Sequence, residues 1–218
     1  MKSLALGRFI NAQTLALAGV LILNWLLFPG FFRIDWQDGR LFGSLIDVLN
    51  RGAPVAILAI GMTAVIATKG VDLSVGAVMA MTGAVAATLV VNGYPAPIAI
   101  GAALGVGLLC GLWNGVLVAL LDIQPIIATL VLMVAGRGLA QLITEGSIVT
   151  FSDPALIFVG TGSFVGLPMP VVIALALLVI VTFAVRKTAI GLFIEAVGVN
   201  RSAATMMPAI AAHSPLSM

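Results

Sequence analysis

Charged side chains are scarce in this chain, and their scarcity excludes whole classes of protein. Only 8% of the 218 residues are Asp, Glu, Lys or Arg, whereas 61% are hydrophobic. A soluble domain carries about 25% charged residues, so this composition cannot cover a water-exposed globule. Several apolar runs also approach or exceed roughly 18 residues, the length needed to cross a hydrocarbon core. The sequence therefore predicts a membrane protein that crosses the bilayer several times.

Cysteine and histidine are almost absent. The one cysteine, Cys110, lies within an apolar run, and the one histidine, His213, lies near the C-terminus. A lone cysteine forms no intrachain disulfide, and no set of His, Cys and carboxylate residues has the spacing of a metal site. We expect Cys110 to pack as a small hydrophobic side chain, and we expect neither a metal nor a cofactor.

The sequence also lacks the motifs of several active classes. It has no G-x-x-x-x-G-K-[ST] phosphate loop, so we do not expect this chain to hydrolyse ATP by itself. No string of Asp, Glu or His lies within the apolar runs, which removes the usual signature of proton-coupled transport. No stripe of Lys and Arg indicates nucleic-acid binding. The sequence therefore predicts a membrane protein without catalytic residues.

Charged and turn-forming residues divide the chain into six apolar spans. In lipid, backbone polar groups must be satisfied within the segment, so these spans are expected to be helices. We predict an all-α, polytopic helical membrane protein with spans near residues 11–32, 52–68, 73–91, 98–121, 123–143 and 169–185. The transmembrane region then covers 1–185, followed by a cytoplasmic segment at 186–204 and a tail at 205–218.

The basic residues predict an orientation. An excess of Lys and Arg marks the cytoplasmic side of a membrane protein. With the N-terminus in the cytosol, the basic residues inside are Lys2, Arg8, Lys69, Arg186, Lys187 and Arg201, and those outside are Arg33, Arg40 and Arg51. The first span is long and is followed by no small-residue cleavage site, so we expect an uncleaved span rather than a signal peptide.

The link between spans two and three, TKGVDLSVG at 68–76, is rich in polar residues and glycine. Asp72 and Ser74 are suited to begin a helix, because their side chains accept hydrogen bonds from free backbone N–H groups. Gly70 and Gly76 allow a tight turn or a close approach of the backbone. Both a short cytoplasmic hairpin and a broken element near a transport path fit this pattern.

Isolated polar residues within the spans are further candidates. Arg137 lies about six residues from the end of span five, so it either faces the interior of a bundle or extends to the interface. Asn114 and Gln124 can bind a sugar hydroxyl or a neighbouring helix. In span four, GLLCGLWNG spaces its glycines by four residues, a pattern typical of close helix packing.

The segment RKTAIGLFIEAVGVNRSAAT, which begins at Arg186, follows span six. From Leu192 to Ala204 it alternates apolar and polar residues, and this predicts a short amphipathic helix weakened by Gly198. Such a helix either lies on the lipid surface or fills a groove on a soluble partner.

Three separated segments resemble the permease subunit of sugar ABC importers, in the branch for ribose, xylose, arabinose and galactofuranose. The segments are LAIGMTAVIATKGVDLSVGAVMA, GLWNGVLVALLDIQPIIATLVLMVAGRG and RKTAIGLFIEAVGVNRSAA. The likeness covers about 32–204 and looks closest to the galactofuranose-type permease. The chain departs from the family at Lys69, where glycine is usual, and after Ala204, where family members continue with several more spans. The resemblance implies half of an ABC importer permease fold, truncated after its first half.

The resemblance implies a permease component of an ATP-driven sugar importer in the bacterial inner membrane. The partners it implies are a cytosolic ABC ATPase subunit, a periplasmic sugar-binding protein, a second permease subunit and the lipid bilayer. ATP hydrolysis would then belong to a separate chain. Two alternatives stay open: a branched-chain amino-acid ABC permease, and a non-transporting membrane protein from an interrupted gene.

The resemblance also implies candidate residues. Those that match the family's coupling segment, which docks on the ATPase, are Glu195, Ala196, Gly198, Asn200, Ala203 and Ala204. Those that match its other motifs, and are candidates for the transport path, are Gly70, Asp72, Leu73, Ser74, Gly76, Asn114, Gly115, Gln124, Pro125 and Thr129. Arg137 joins the path candidates because of its place within a span.

Overall fold

The fold is known from a computed structural model that describes residues 12–37 and 39–199. The helices of these residues are α1 (Ala12–Leu27), α2 (Ser44–Ala67), α3 (Val75–Val91), α4 (Ala96–Ala119), α5 (Pro125–Ile143), α6 (Pro154–Thr161), α7 (Met169–Lys187) and α8 (Ala189–Val199). The strands are β1 (Asp35–Gln37), β2 (Arg40–Phe42), β3 (Ser163–Phe164) and β4 (Leu167–Pro168), and a 3₁₀ turn lies at Pro29–Phe32.

The apolar helices coincide with the six predicted spans. Four of them, α2, α4, α5 and α7, are long and apolar enough to cross a membrane. Two more are apolar but shorter, namely α3 and the part of α1 at Thr14–Leu27. The prediction of a helical membrane protein is therefore confirmed.

The second span differs most from its predicted position. The helix α2 begins at Ser44 rather than near residue 52, so Asp47 and Arg51 lie within the helix and not in a polar loop. Asp47 occupies the first turn, where a carboxylate interacts favourably with the helix dipole. A hydropathy pattern ends a span at a charge, whereas a helix continues beyond the hydrocarbon wherever its backbone bonds persist.

Two short hairpins meet at one end of the molecule, which we call the hairpin end. Strand β1 pairs with β2, and β3 pairs with β4, both antiparallel. The backbone N–H of Leu41 donates to the carbonyl of Gly166 at 2.9 Å. The Trp36 ring lies so close that a Cβ at position 166 would be 2.7 Å from it, and the φ of Gly166 is +83°. Glycine is therefore needed for both reasons.

The helices pack in two groups. Helix α3 lies against α4 and α5, while α2 lies against α7. In the first group Met81, Cys110 and Leu132 belong to a buried cluster, and Gly136 of α5 faces Ala77 of α3. Small residues permit this approach, because helix association in lipid depends on close packing rather than on the hydrophobic effect. Cys110 is 6% exposed, as expected of a small core residue.

The opposite end, which we call the α8 end, contains the links between α2 and α3 and between α4 and α5, together with α8. Helix α2 stops in a paired turn: Gly70 N–H donates to the Val65 carbonyl at 3.0 Å, and Lys69 N–H donates to the Ile66 carbonyl at 2.9 Å. This motif places its C′ residue in the left-handed region, and Lys69 has φ +60°. The backbone thus explains why glycine suits this position.

Candidate functional site at the α8 end

A cavity of about 500 Å³ lies at the α8 end. Its wall is formed by the end of α2, the link at 68–72, the second half of α4, the start of α5 and the end of α8. Seven of the candidate path and coupling residues line it: Gly70, Asp72, Asn114, Gly115, Pro125, Thr129 and Gly198.

Asp72, Ser74 and Asn114 form one hydrogen-bonded network, which we call the polar network. Ser74 is fully buried, and it donates both its backbone N–H and its hydroxyl to Asp72 Oδ1, at 2.7 and 2.6 Å. The carboxylate thus accepts the backbone N–H of the residue just before α3. Asn114 Nδ2 donates to Ser74 Oγ at 3.0 Å. Through these bonds the link before α3 is joined to α4.

Thr129 joins the start of α5 to the same link. Its side chain is buried, and its hydroxyl lies 2.8 Å from the Pro125 carbonyl of its own helix and 3.4 Å from the carbonyl of Val71. A hydroxyl has one proton, so the shorter bond dominates and the contact with Val71 is weak. Thr129 thus contributes a compact polar group to the cavity wall without a free proton.

Two glycines of α8 allow its backbone to lie close to α2 and α7. A Cβ at Gly198 would overlap the carbonyl oxygen of Ala67 at the end of α2, and a Cβ at Gly191 would overlap the carbonyl of Val185. The predicted amphipathic helix is observed as α8, and Gly198 is its contact with α2 rather than a weak point. On α8, Glu195 is exposed and Ala196 is half-buried. The candidates Asn200, Ala203 and Ala204 lie outside the described residues.

Five path candidates lie off the wall of this cavity: Ser74, which lines a second cavity described below, and Leu73, Gly76, Gln124 and Arg137. Leu73 is 41% exposed, Gln124 is exposed just before α5, and the space around Gly76 is open. Arg137 is exposed on α5 and does not point into the described bundle. The family motifs therefore include residues that line this cavity and neighbouring residues that do not.

A second cavity of about 560 Å³ lies further from the α8 end, among α2, α3 and α4; we call it the deeper cavity and the first one the outer cavity. The two cavities share Val65, Asp72, Gly111 and Asn114, so these four residues stand between them. Gly111 has nothing within 4 Å of its Cβ position, which leaves that space open. The sequence does not single out Val65, and it singles out Gly111 only as one of the packing glycines of span four.

This arrangement defines a multi-pass helical membrane protein with a polar network between two cavities. Within the described ranges, no group of three His, Cys, Asp or Glu side chains could hold a metal ion. The chain belongs to the family described as "Branched-chain amino acid transport system / permease component", whose model matches residues 44–208.

The curated relatives of this chain include permeases whose names specify a sugar. The galactofuranose transporter permease protein YtfT of Escherichia coli is 60% identical over 192 residues, which cover 88% of this chain and 56% of that protein. The fructose import permease protein FruF of Bifidobacterium longum is 44% identical, covering 81% of this chain and 51% of its own. The ribose import permease protein RbsC of Haemophilus influenzae is 37% identical, covering 91% and 61%. No solved structure matches the chain.

These comparisons confirm the resemblance to sugar ABC permeases that the three segments carried. The chain spans about half the length of the curated relatives it matches. The relatives are permease components and not enzymes. Together with the apolar helices, they make this chain a multi-pass inner-membrane protein.

Proposed function

We propose that this chain is a permease component of an ATP-driven importer for a monosaccharide. The observation that carries the proposal is the polar network of Asp72, Ser74 and Asn114 between two cavities of an otherwise apolar bundle. A neutral solute with many hydroxyls needs a few placed hydrogen-bond partners along an apolar path. The substrate class comes from the relatives, whose names specify galactofuranose, fructose and ribose.

A branched-chain amino acid is the second candidate, because the family description names it. A zwitterion requires a cationic partner for its carboxylate and an anionic partner for its ammonium. Among the described residues that line the deeper cavity, Asp72 is the charged one and no Lys or Arg is present. Asp72 Oδ1 also already accepts two hydrogen bonds from Ser74. A neutral polyol therefore suits this cavity better.

In this proposal the N-terminus and the α8 end lie in the cytosol. Six basic residues then lie inside and three outside, in agreement with the positive-inside rule. The hairpin end faces the periplasm, where a sugar-binding protein would deliver the solute. A second permease subunit would complete the membrane part.

The exposed side of α8 is proposed as the ATPase contact. Leu192 is 70% exposed and Phe193 is 53% exposed, with Glu195 also exposed nearby. The glycines hold the other side against α7 and α2. A helix that is seated on one side and presents apolar residues on the other fits a groove on a soluble partner. ATP hydrolysis is assigned to that partner.

The test is sugar uptake in a host that lacks its own galactofuranose permease but keeps the matching ATPase and binding protein. Cells that produce this chain are given radiolabelled galactofuranose, fructose, ribose or leucine in separate assays, and each sugar assay is repeated with excess unlabelled leucine as competitor. We expect energy-dependent uptake of at least one sugar, which leucine does not reduce. Uptake of leucine alone, or no energy-dependent uptake of any sugar, would contradict the proposal.

A further inference from the structure

The orientation of the Asn114 amide follows from a count of protons in the polar network. Asp72 Oδ1 is a carboxylate oxygen and can only accept hydrogen bonds. Ser74 gives its single hydroxyl proton to that oxygen at 2.6 Å, so Ser74 Oγ can only accept from Asn114. Asn114 must therefore present its Nδ2 to Ser74, at 3.0 Å. Its Oδ1 is left outside the network.

Asn114 Oδ1 is an unused acceptor. It is shielded from solvent, and no donor in the described part of the chain bonds to it. An amide oxygen that loses its hydrogen bonds on burial is held in an unfavourable state. The network thus fixes an unsatisfied acceptor at the boundary of the two cavities. A donor that reached it would be bound in preference to apolar groups.

The boundary lies part-way along α4. Cys110 lines only the deeper cavity, Val118 lines only the outer one, and Asn114 lines both. At about 1.5 Å per residue, Cys110 and Val118 lie roughly 12 Å apart along the helix. A solute that moves between the cavities along α4 must therefore pass Asn114.

We propose that the polar network closes the passage between the two cavities, and that Asn114 Oδ1 accepts a hydrogen bond from a hydroxyl of the solute as it passes. The identity of the solute as a monosaccharide rests on the proposed function, whereas the closure is a property of this chain. A solute opens such a passage only if it interacts better with the open state. A hydrogen bond from the solute to Asn114 Oδ1 in the open state would make that state the better binder of the solute.

Cys110 is a native probe of this passage. It is the only cysteine of the sequence, and it lies in the deeper cavity beyond the network. The full chain is placed in sealed membrane vesicles of both orientations and treated with a charged, membrane-impermeant methanethiosulfonate. Mass spectrometry then gives the rate of Cys110 modification. The face that carries α8 is identified separately with Glu195→Cys in a Cys110→Ala chain.

We expect Asn114→Gly and Ser74→Ala to raise the rate of Cys110 modification about tenfold from the α8 face and to leave the other face unchanged. Asn92→Gly makes the same change at an exposed site beyond the last turn of α3 and serves as the matched control. An unfolded variant would react from both faces, and that result would count against closure.

A second arm tests the acceptor. D-galactose, D-fructose and D-ribose are added in turn, and leucine serves as the comparison. One sugar should slow the modification of Cys110 in Ser74→Ala, which keeps the acceptor, but not in Asn114→Gly, which lacks it. Equal protection in both variants, or protection in neither, would overturn the acceptor role.

The two proposals fail separately. Equal modification of Cys110 in every variant would overturn closure, whatever the uptake of sugar. If the Asn114→Gly and Ser74→Ala variants raise the rate of Cys110 modification only from the α8 face, but cells with the unaltered chain import no sugar, closure stands and the proposed substrate is refuted.

Discussion

Gly136 is a position where α5 comes very close to α3, and its replacement gives a sharp test of the helix packing. A Cβ at this position would lie 3.2 Å from Ala77 Cβ and 3.3 Å from Met81 Sδ. Carbon atoms prefer separations of about 3.5–4.0 Å, so even one added carbon requires a small shift. Leucine adds three more carbons where Ala77 and Met81 already lie.

We expect Gly136→Leu to lower the free energy of unfolding by about 1–3 kcal/mol, which is the typical cost of overpacking a close contact. Gly138 lies on the same helix with nothing within 4 Å of its Cβ position. Gly138→Leu should therefore meet no clash, and leucine is favoured over glycine in a helix by up to about 1 kcal/mol. The same substitution should thus lower the free energy of unfolding at position 136 and leave it unchanged or raise it at position 138.

The buried thiol of Cys110 reports the result, because it belongs to the same cluster as Met81 and Leu132. The protein is heated in detergent with a fluorogenic maleimide, and the midpoint of thiol exposure is measured. We expect the midpoint of Gly136→Leu to fall well below that of the unaltered chain, while that of Gly138→Leu stays level or rises. Equal midpoints for the two variants would refute the packing of α5 on α3.

Three further substitutions test the α8 end. Gly198→Ala would place a Cβ against the Ala67 carbonyl and displace α8, so sugar uptake should fall at an unchanged amount of protein in the membrane. Gly160→Ala, in open space on α6, is the control. Equal uptake by both variants would contradict this role of Gly198. Glu195→Arg changes an exposed residue of α8, so it should lower sugar-stimulated ATPase activity without altering membrane insertion. Glu145 is also exposed, beyond the end of α5, and Glu145→Arg should leave the ATPase activity unchanged. Lys69→Gly should raise the free energy of unfolding by about 1 kcal/mol, because the left-handed backbone at φ +60° costs roughly that much for a residue with a Cβ. Lys69→Ala keeps the Cβ and should give no gain. Equal thermal midpoints for these two variants would contradict the explanation.

The spans were predictable because lipid leaves helices as the main solution for an apolar run. The start of α2 was not, since Asp47 and Arg51 look like loop residues in a hydropathy pattern although they belong to a helix. The hairpin end was not predictable either. It depends on the contact of Trp36 with Gly166, two residues far apart in the sequence that only the folded chain brings together.

The candidate site was predictable in part. The motif resemblance singled out Asp72, Ser74 and Asn114, but it could not show that one hydrogen-bonded network joins them. The same motifs also included Leu73 and Gly76, which lie off the cavity wall, because a linear pattern does not reveal which side of the link faces the bundle. Gly198 looked like a defect in an amphipathic helix, since its contact with the Ala67 carbonyl depends on the position of α2.

Initial uptake of radiolabelled sugar by cells with Asn114→Leu decides whether the polar network serves transport or only packing. Leucine has the same number of side-chain heavy atoms as asparagine, in the same branched order, but offers no hydrogen bond. At equal amounts of protein in the membrane, we predict that Asn114→Leu lowers uptake about tenfold or more, the factor that about 1.4 kcal/mol of lost interaction produces. Asn92→Leu, at an exposed site beyond α3, should retain uptake. Equal uptake by the two variants would contradict the account.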